Sequence, residues 1–400
     1  MIRISIAAAL LASATPALAE VHTVAPGEGA QERLQEALIL AAPGDEIELE
    51  AGRFELTDGL SLDVDGVTLR GAGADATVLD FTAQKDAGEG LLVTSDNVTL
   101  RDFAVENPKG DGIKSKGADN IVYQGIRVTW TGGPLSTNGA YGIYPVESTG
   151  VLVAESQVSG ASDAGIYVGQ SRDITVRHSL VQYNVAGIEI ENSRNAVVEE
   201  NLATHNTGGI LVFDLPGLPV MGGGDVVVRR NLVTENDVDN FAPPGNIVGG
   251  VKRGTGILVM ANENVLVDEN VLQKNDTSQI MVVAYTLPFD DERYNPFPRN
   301  VVIGNNIYEE GGQRPDLDGA EALLAAFGGA LPPVLWDGLA EPGGTALSVA
   351  EGTAGWSLNL PRQGADLAEA TPGPLQAPVG DPSSLPEVTG APQELEARLK

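Results

Sequence analysis

Three carboxylates and two tyrosines stand at spacings that could bring them together. Tyr144, Tyr167 and Glu189 follow one another at intervals of 23 and 22 residues, and Asp163 and Glu191 flank that series. A carboxylate near a tyrosine can do general acid–base work on a sugar ring, with paired groups dividing the roles according to environment. Asp163, Tyr167 and Glu189 are therefore the candidate catalytic residues. The same residues also have an ordinary explanation: glutamate on a solvated strand face, and tyrosine packing across neighbouring strands.

A wider set would share that face. The units Gly112-Ile113, Gly142-Ile143, Gly165-Ile166, Gly187-Ile188, Gly209-Ile210 and Gly256-Ile257 each begin an apolar strand. Strand alternation turns the residue after Gly inward and the next one outward. The outward row then reads Lys114, Tyr144, Tyr167, Glu189, Leu211 and Leu258. Two residues on, a second row reads Lys116, Val146, Gly169, Glu191, Phe213 and Met260. Lys114, Tyr144, Glu191, Phe213, Asp214, Phe241 and Met260 are the candidate substrate-binding residues. Insertions between Trp130 and Gly142, after Asp214, and from Asp237 to Arg253 enter or leave these strands, so they are expected to wall the face into a groove.

What places these residues is a repeat. A second unit keeps step with the first, an apolar strand followed by a small hydroxyl or amide. Val151 leads to Ser156, Ile174 to Ser179, Ala196 to Asn201, Val226 to Asn231, Val265 to Asn270 and Val301 to Asn306. Starts at 151, 174 and 196 again differ by 23 and 22. Three short strands and their corners need roughly that many residues per coil, and each coil pairs in parallel with those above and below, about 4.8 Å away. Asn tolerates a left-handed corner, and its amide can bond the Asn one coil on. The Ser and Asn positions are thus expected to stack as a structural ladder. A leucine-rich repeat has a similar period, but its Leu-x-x-Leu-x-Leu frame is absent.

Composition narrows the functions. The formal charge is −31, which repels nucleic acid over most of the surface. With no cysteine there is no disulfide, thiol nucleophile or Cys-ligated metal. His22, His178 and His205 have no metal-ligand spacing. No cofactor is called for; Asp290-Asp291-Glu292 and Asp237 with Asp239 are the acidic clusters that could take Ca2+. Arg3, the apolar run Ile4–Ala12 and Ala17-Leu18-Ala19 before Glu20 read as a cleaved leader, which places the mature chain in the periplasm or outside the cell. No later apolar run is long enough for membrane insertion.

The ends read differently from the middle. The spacing predicts an amphipathic helix over 31–42, followed by Pro43-Gly44-Asp45, a strand Glu46–Leu49 and Gly52-Arg53-Phe54. That order resembles the N-terminal cap of the pectate-lyase-like superfamily. The resemblance implies an all-β fold, a right-handed parallel β-helix with a short N-terminal capping helix and an irregular C-terminal region. The expected divisions are a signal peptide over 1–19, a cap over 20–54, the β-helix over 55–310, a capping region over 311–363 and a Pro/Gly-rich tail over 364–400, extended or disordered. A helix is expected around Ala320–Phe327.

The resemblance does not extend to known catalytic patterns. The paired aspartates, Gly-His-Gly and Arg-x-Lys of pectinolytic hydrolases are missing. Tyr141-Gly142-Ile143-Tyr144-Pro145-Val146-Glu147 is similar to the start of the mannuronate epimerase motif but lacks its two Asp and its His. The repeat style also resembles the periplasmic maturation factor for the copper site of nitrous oxide reductase and, more broadly, exported bacterial β-helix repeat proteins of unassigned activity. The expectation is a protein that binds an extended polysaccharide in its groove and, if an enzyme, is a lyase, hydrolase or epimerase. The alternative is an accessory scaffold that docks a periplasmic protein, using the apolar Leu211, Phe213, Leu258, Met260 and Phe241.

Overall fold

A computed structural model of the chain describes residues 19–86 and 88–399; the expected leader, but for its last residue Ala19, lies outside them. Three long sheets run the length of the molecule. Sheet 1 has twelve strands, from Val21–Val24 to Leu347–Val349, and sheet 2 has twelve, from Leu60–Leu62 to Gly373–Pro374. Sheet 3 has ten, from Gly52–Glu55 to Ile307–Tyr308. Each full coil gives one strand to each sheet and pairs in parallel with the next, whereas the final strand of sheet 2, Gly373–Pro374, pairs antiparallel with Gly355–Ser357. In sheet 1 the register runs Val151, Ile174, Ala196, Val226, Val265, Val301. In sheet 2 it runs Ile113, Ile143, Ile166, Ile188, Ile210, Ile257, Ile280. All seven of these isoleucines are fully buried. They form one face of the core, each contributing about 1.5–3 kcal/mol by leaving water.

The ladder is present, with one correction to its physics. Asn201 Nδ2 donates to Asn231 Oδ1, Asn231 Nδ2 to Asn270 Oδ1, and Asn270 Nδ2 to Asn306 Oδ1, each at 2.9–3.0 Å. Ser156 and Ser179 begin the same series through backbone N–H to side-chain oxygen bonds. A second ladder links Asn184, Asn206, Asn236 and Asn275. The left-handed corner residue is the one before the ladder position: Glu155, His178, Glu200, Arg230 and Glu269 all have φ between 49° and 57°. The ladder amides are free of that strain and spend both polar atoms on neighbouring coils. His205 is such a corner residue, stacked on Tyr183 with ring centroids 5.4 Å apart, and its Nδ1 lies 3.0 Å from Asp237.

The N-terminal end is covered by the helix Ala30–Leu40, which buries Leu34 and Leu38. At the other end sheet 3 stops at Tyr308, while sheets 1 and 2 continue with Leu347–Val349, Val334–Trp336 and Gly355–Ser357. A short helix spans Ala320–Ala326.

The tail is extended but ordered, because it finds partners that composition does not reveal. It returns along the outer face of sheet 1. Val379 bridges Val349, Thr389 N–H donates to Asn195 Oδ1, and Ala391 N–H donates to Thr175 Oγ1. Leu395, fully buried, packs on Val122, Leu152 and Ala154, and Glu396 pairs with Arg177. Leu395→Asp should release this strap, since a carboxylate there would lose its hydration with no partner. Limited proteolysis should then cut between residues 380 and 392 where the native chain resists; equal resistance would show that Leu395 does not hold the strap.

Candidate functional site

The outer face of sheet 2 carries a cavity of about 710 Å³. Its floor is the predicted pair of rows. Tyr167, Glu189, Leu211, Leu258 and Met281 lie in register on adjacent strands, and so do Gly169, Glu191, Phe213, Met260 and Val283. Two of the expected insertions supply walls, through Leu215 and Leu218 on one side and Asn246 to Lys252 on the other. The insertion between Trp130 and Gly142 contributes only Tyr141, at the start of its strand. The loop 284–298 adds Tyr285 and Leu287. It folds on an aromatic cluster of Tyr285, Phe289 and Tyr294, and Tyr294 Oη donates to the carbonyl of Asp214 at 2.6 Å. Sequence reasoning missed that wall, although the gap between strands Ser278–Val283 and Arg299–Ile303 marks it.

Polar groups gather at one end. The rings of Tyr141, Tyr144 and Tyr167 pack with centroids 4.4, 4.5 and 4.9 Å apart. Tyr167 lies over Gly169, where a Cβ would come within 2.3 Å of the ring, so this glycine makes room for the tyrosine. The Tyr167 hydroxyl donates toward the Glu191 carboxyl. Tyr141 Oη stands 3.5 Å from Asp163 Oδ2, and the Asn246 side chain also donates to Asp163. Glu189 is 1% exposed, and its Oε1 has no hydrogen-bond partner among the described residues. Such an orphan in a folded core calls for an explanation, because a buried polar group normally has a partner.

Burial dominates the electrostatics. It pushes the Asp163 carboxyl up to about 7, with Asp111 adding to the rise and Tyr141 and Asn246 opposing it. Glu191 is also raised to about 7, by burial first, with the Tyr167 hydroxyl opposing. Glu189 is held well above the usual carboxylate range by burial and then by the charges of Asp163 and Glu191. Burial raises the Tyr144 phenol to about 12 and the Tyr141 and Tyr167 phenols further still. Near neutral pH, protonated and ionised carboxyl groups therefore stand side by side, as acid–base chemistry requires.

The structure brings together Asp163, Tyr167, Glu189, Tyr144, Glu191, Phe213 and Met260 as cavity lining. Three other predicted residues fall outside it. Lys114 sits beyond the tyrosines, its Nζ 3.1 Å from Glu89 and 4.9 Å from the Tyr144 ring centroid. Asp214 turns into its own loop and accepts from the Gly222 and Gly223 amides. Phe241 packs behind the wall against the apolar cluster. Tyr141 and Asn246 belong to the site and were not predicted: Tyr141 precedes its Gly, and Asn246 lies in an insertion without periodicity. Of the acidic clusters considered for calcium, Asp291 pairs with Arg293, Asp239 with Arg253 and Asp237 with His205. Among the described residues no group of three or more His, Asp or Glu is arranged to hold a metal ion.

A family model described as the right handed beta helix region matches residues 65–216. The chain is a right-handed parallel β-helix. Solved β-helices similar to it include the A-module of a mannuronan C-5 epimerase from Azotobacter vinelandii, 15% identical with a TM-score of 0.51, covering 80% of this chain and 90% of that one. An alginate lyase from a Paenibacillus species is 17% identical with a TM-score of 0.52, covering 73% and 97%. A DFA-IIIase from Arthrobacter chlorophenolicus, solved with DFA-III, is 14% identical with a TM-score of 0.53, covering 82% and 94%. At these identities the likeness concerns the fold of the β-helix. The sequence matches no curated protein. Among the described residues no helix is long and apolar enough to cross a membrane.

Proposed function

We propose that this β-helix binds an uncharged carbohydrate at the polar end of the sheet 2 cavity, and that Asp163 and Glu189 exchange protons with the bound sugar. The observation that carries the reading is the buried Glu189 carboxyl, with Oε1 unpartnered beside Asp163, Glu191 and a tyrosine floor. The solved β-helices named above include a mannuronan epimerase, an alginate lyase and a DFA-IIIase, which favours a carbohydrate over other ligands. Charge argues against a polyuronate. Among the described lining residues Lys252 alone is basic, three acidic groups share the polar end, and the chain carries −31. A uronate would meet repulsion with no guanidinium to offset it.

In this reading Tyr144, half-buried at the mouth of the polar end, presents its ring to a sugar's CH face. Glu189 enters protonated and donates, and Asp163, partly ionised near pH 7, accepts. Of the five apolar residues on which the docking-scaffold alternative rests, Leu211, Phe213 and Leu258 are 1%, 6% and 8% exposed, which leaves a protein less surface than a small ligand needs; Met260 and Phe241 are half-buried.

A glycan array tests the proposal. Neutral oligosaccharides should be retained and uronates not. Tyr144→Ala should weaken retention by about 1–2 kcal/mol, the size of one partly buried contact. Binding of uronates alone, or equal binding by the variant, would overturn the reading.

A further inference from the structure

The polar end occupies only part of the cavity. Beyond Glu189 the first floor row turns to Leu211, Leu258 and Met281; beyond Glu191 the second turns to Phe213, Met260 and Val283. Three strand steps carry this apolar floor about 14 Å beyond Glu189, at about 4.8 Å per step. Its walls are mainly apolar, with Leu215, Leu218 and Val248 among the lining and Asn246, Lys252 and Thr286 the polar groups of the wall segments. Two large apolar side chains, Ile247 and Leu287, stay 48% and 53% exposed on the same lining. Polar lining groups are few here, Lys252, Thr255 and Thr286 with Asp337 one strand beyond Val283, so most hydroxyls of a plain sugar chain would lose water without compensation.

We propose that the ligand is amphipathic: a hydroxylated sugar head seated between Tyr144 and Glu189, joined to an apolar tail that lies along Leu258 and Met281. This names the ligand class for the site and rests on the carbohydrate reading of its polar end. The two halves then each meet matching chemistry. Carboxyl groups that hold protons near neutral pH donate to and accept from the head's hydroxyls, and the tail leaves water against leucine, methionine and valine. A cavity of about 710 Å³ is of the size that encloses a whole small amphiphile.

Isothermal titration with methyl and octyl glycosides of glucose, galactose and mannose, below their micelle concentrations, and with 1-octanol, separates the two halves. The account expects the octyl form of the preferred sugar to bind at least about thirtyfold tighter than its methyl form, since seven added methylenes leave water. Met281→Asn should reduce that ratio at least about fivefold, and Val283→Asn provides the same test at the neighbouring position. Both side chains are only half-buried, so the fold should tolerate the changes, and unchanged melting temperatures would establish that. Glu189→Leu, which removes donor and acceptor together, should weaken the octyl glycoside and leave octanol unaffected. Equal binding of methyl and octyl forms would overturn the amphipathic ligand while leaving the carbohydrate reading standing. Octanol binding as tightly as the octyl glycosides, with no effect of Glu189→Leu, would overturn the carbohydrate reading and the inference built on it. Absence of binding by every octyl compound would also overturn the inference.

Discussion

Glu189→Gln should raise the melting temperature at pH 8 by about 2–5 °C and change it little at pH 4.5, although the residue stands at the centre of the proposed site. In the unfolded chain this carboxyl ionises near its ordinary 4.5, whereas in the folded chain burial holds its proton far above that. The native state therefore retains protons that the unfolded state releases, and stability falls as pH rises past the unfolded value. Each pH unit in that window costs about 1.4 kcal/mol for a fully shifted group. Glutamine has the same shape and no proton to lose, so it removes the cost; allowing for coupling with its neighbours, about 1–3 kcal/mol should be recovered at pH 8. Asp163 and Glu191 carry the same sign, with windows from their ordinary values of 3.8 and 4.5 up to about 7. The native protein should accordingly lose site stability between about pH 4 and pH 7, opposite to the behaviour of salt-bridged carboxylates. Calorimetry of both proteins across that range checks this. A variant less stable at every pH would mean that Glu189 is a satisfied structural residue. In the proposed reading the three acids are kept buried at a stability cost because the site uses their protons.

Asn231→Leu should destabilise the protein by about 3 kcal/mol or more, and Asn231→Ser by about half as much. The Asn231 amide sits between two coils. Its Oδ1 accepts from the Asn201 backbone and side chain, and its Nδ2 donates to Asn270 Oδ1 and to the carbonyls of Val198 and Arg229. Leucine would strand several of these buried groups at about 1–3 kcal/mol each, partly relieved by relaxation. Serine keeps one acceptor, the role Ser179 Oγ already performs for the Ser156 N–H. Because coils are stabilised chiefly by their neighbours, the loss should show as a lower midpoint of unfolding for the whole stack. Equal midpoints for the two variants would remove the ladder from the account.

The face that carries the site was legible because its residues belong to the repeat. A period of 22 to 23 fixes which side chains become neighbours, so Tyr167, Glu189 and Leu211 could be aligned without coordinates. Their burial was not legible. Glu189 on an open sheet would be a solvated residue, but the face that carries it is walled into a cavity by segments 246–252 and 284–287, whose course the period does not set. Asp214 shows the converse error. It follows an outward residue, but the loop turns there and the carboxylate binds the Gly222 and Gly223 amides instead of the cavity. The strap was hidden for a related reason: residues 379–399 follow no period of their own and are ordered by side chains of sheet 1 such as Asn195 and Thr175.

The most direct test is the position of a bound sugar. Crystals of the protein soaked with the neutral oligosaccharide best retained on the array should show a sugar ring against Tyr144 and a hydroxyl within hydrogen-bond distance of Glu189 Oε1. A sugar held on another face of the β-helix, or one seated in the cavity with Oε1 still unpartnered, would contradict the account.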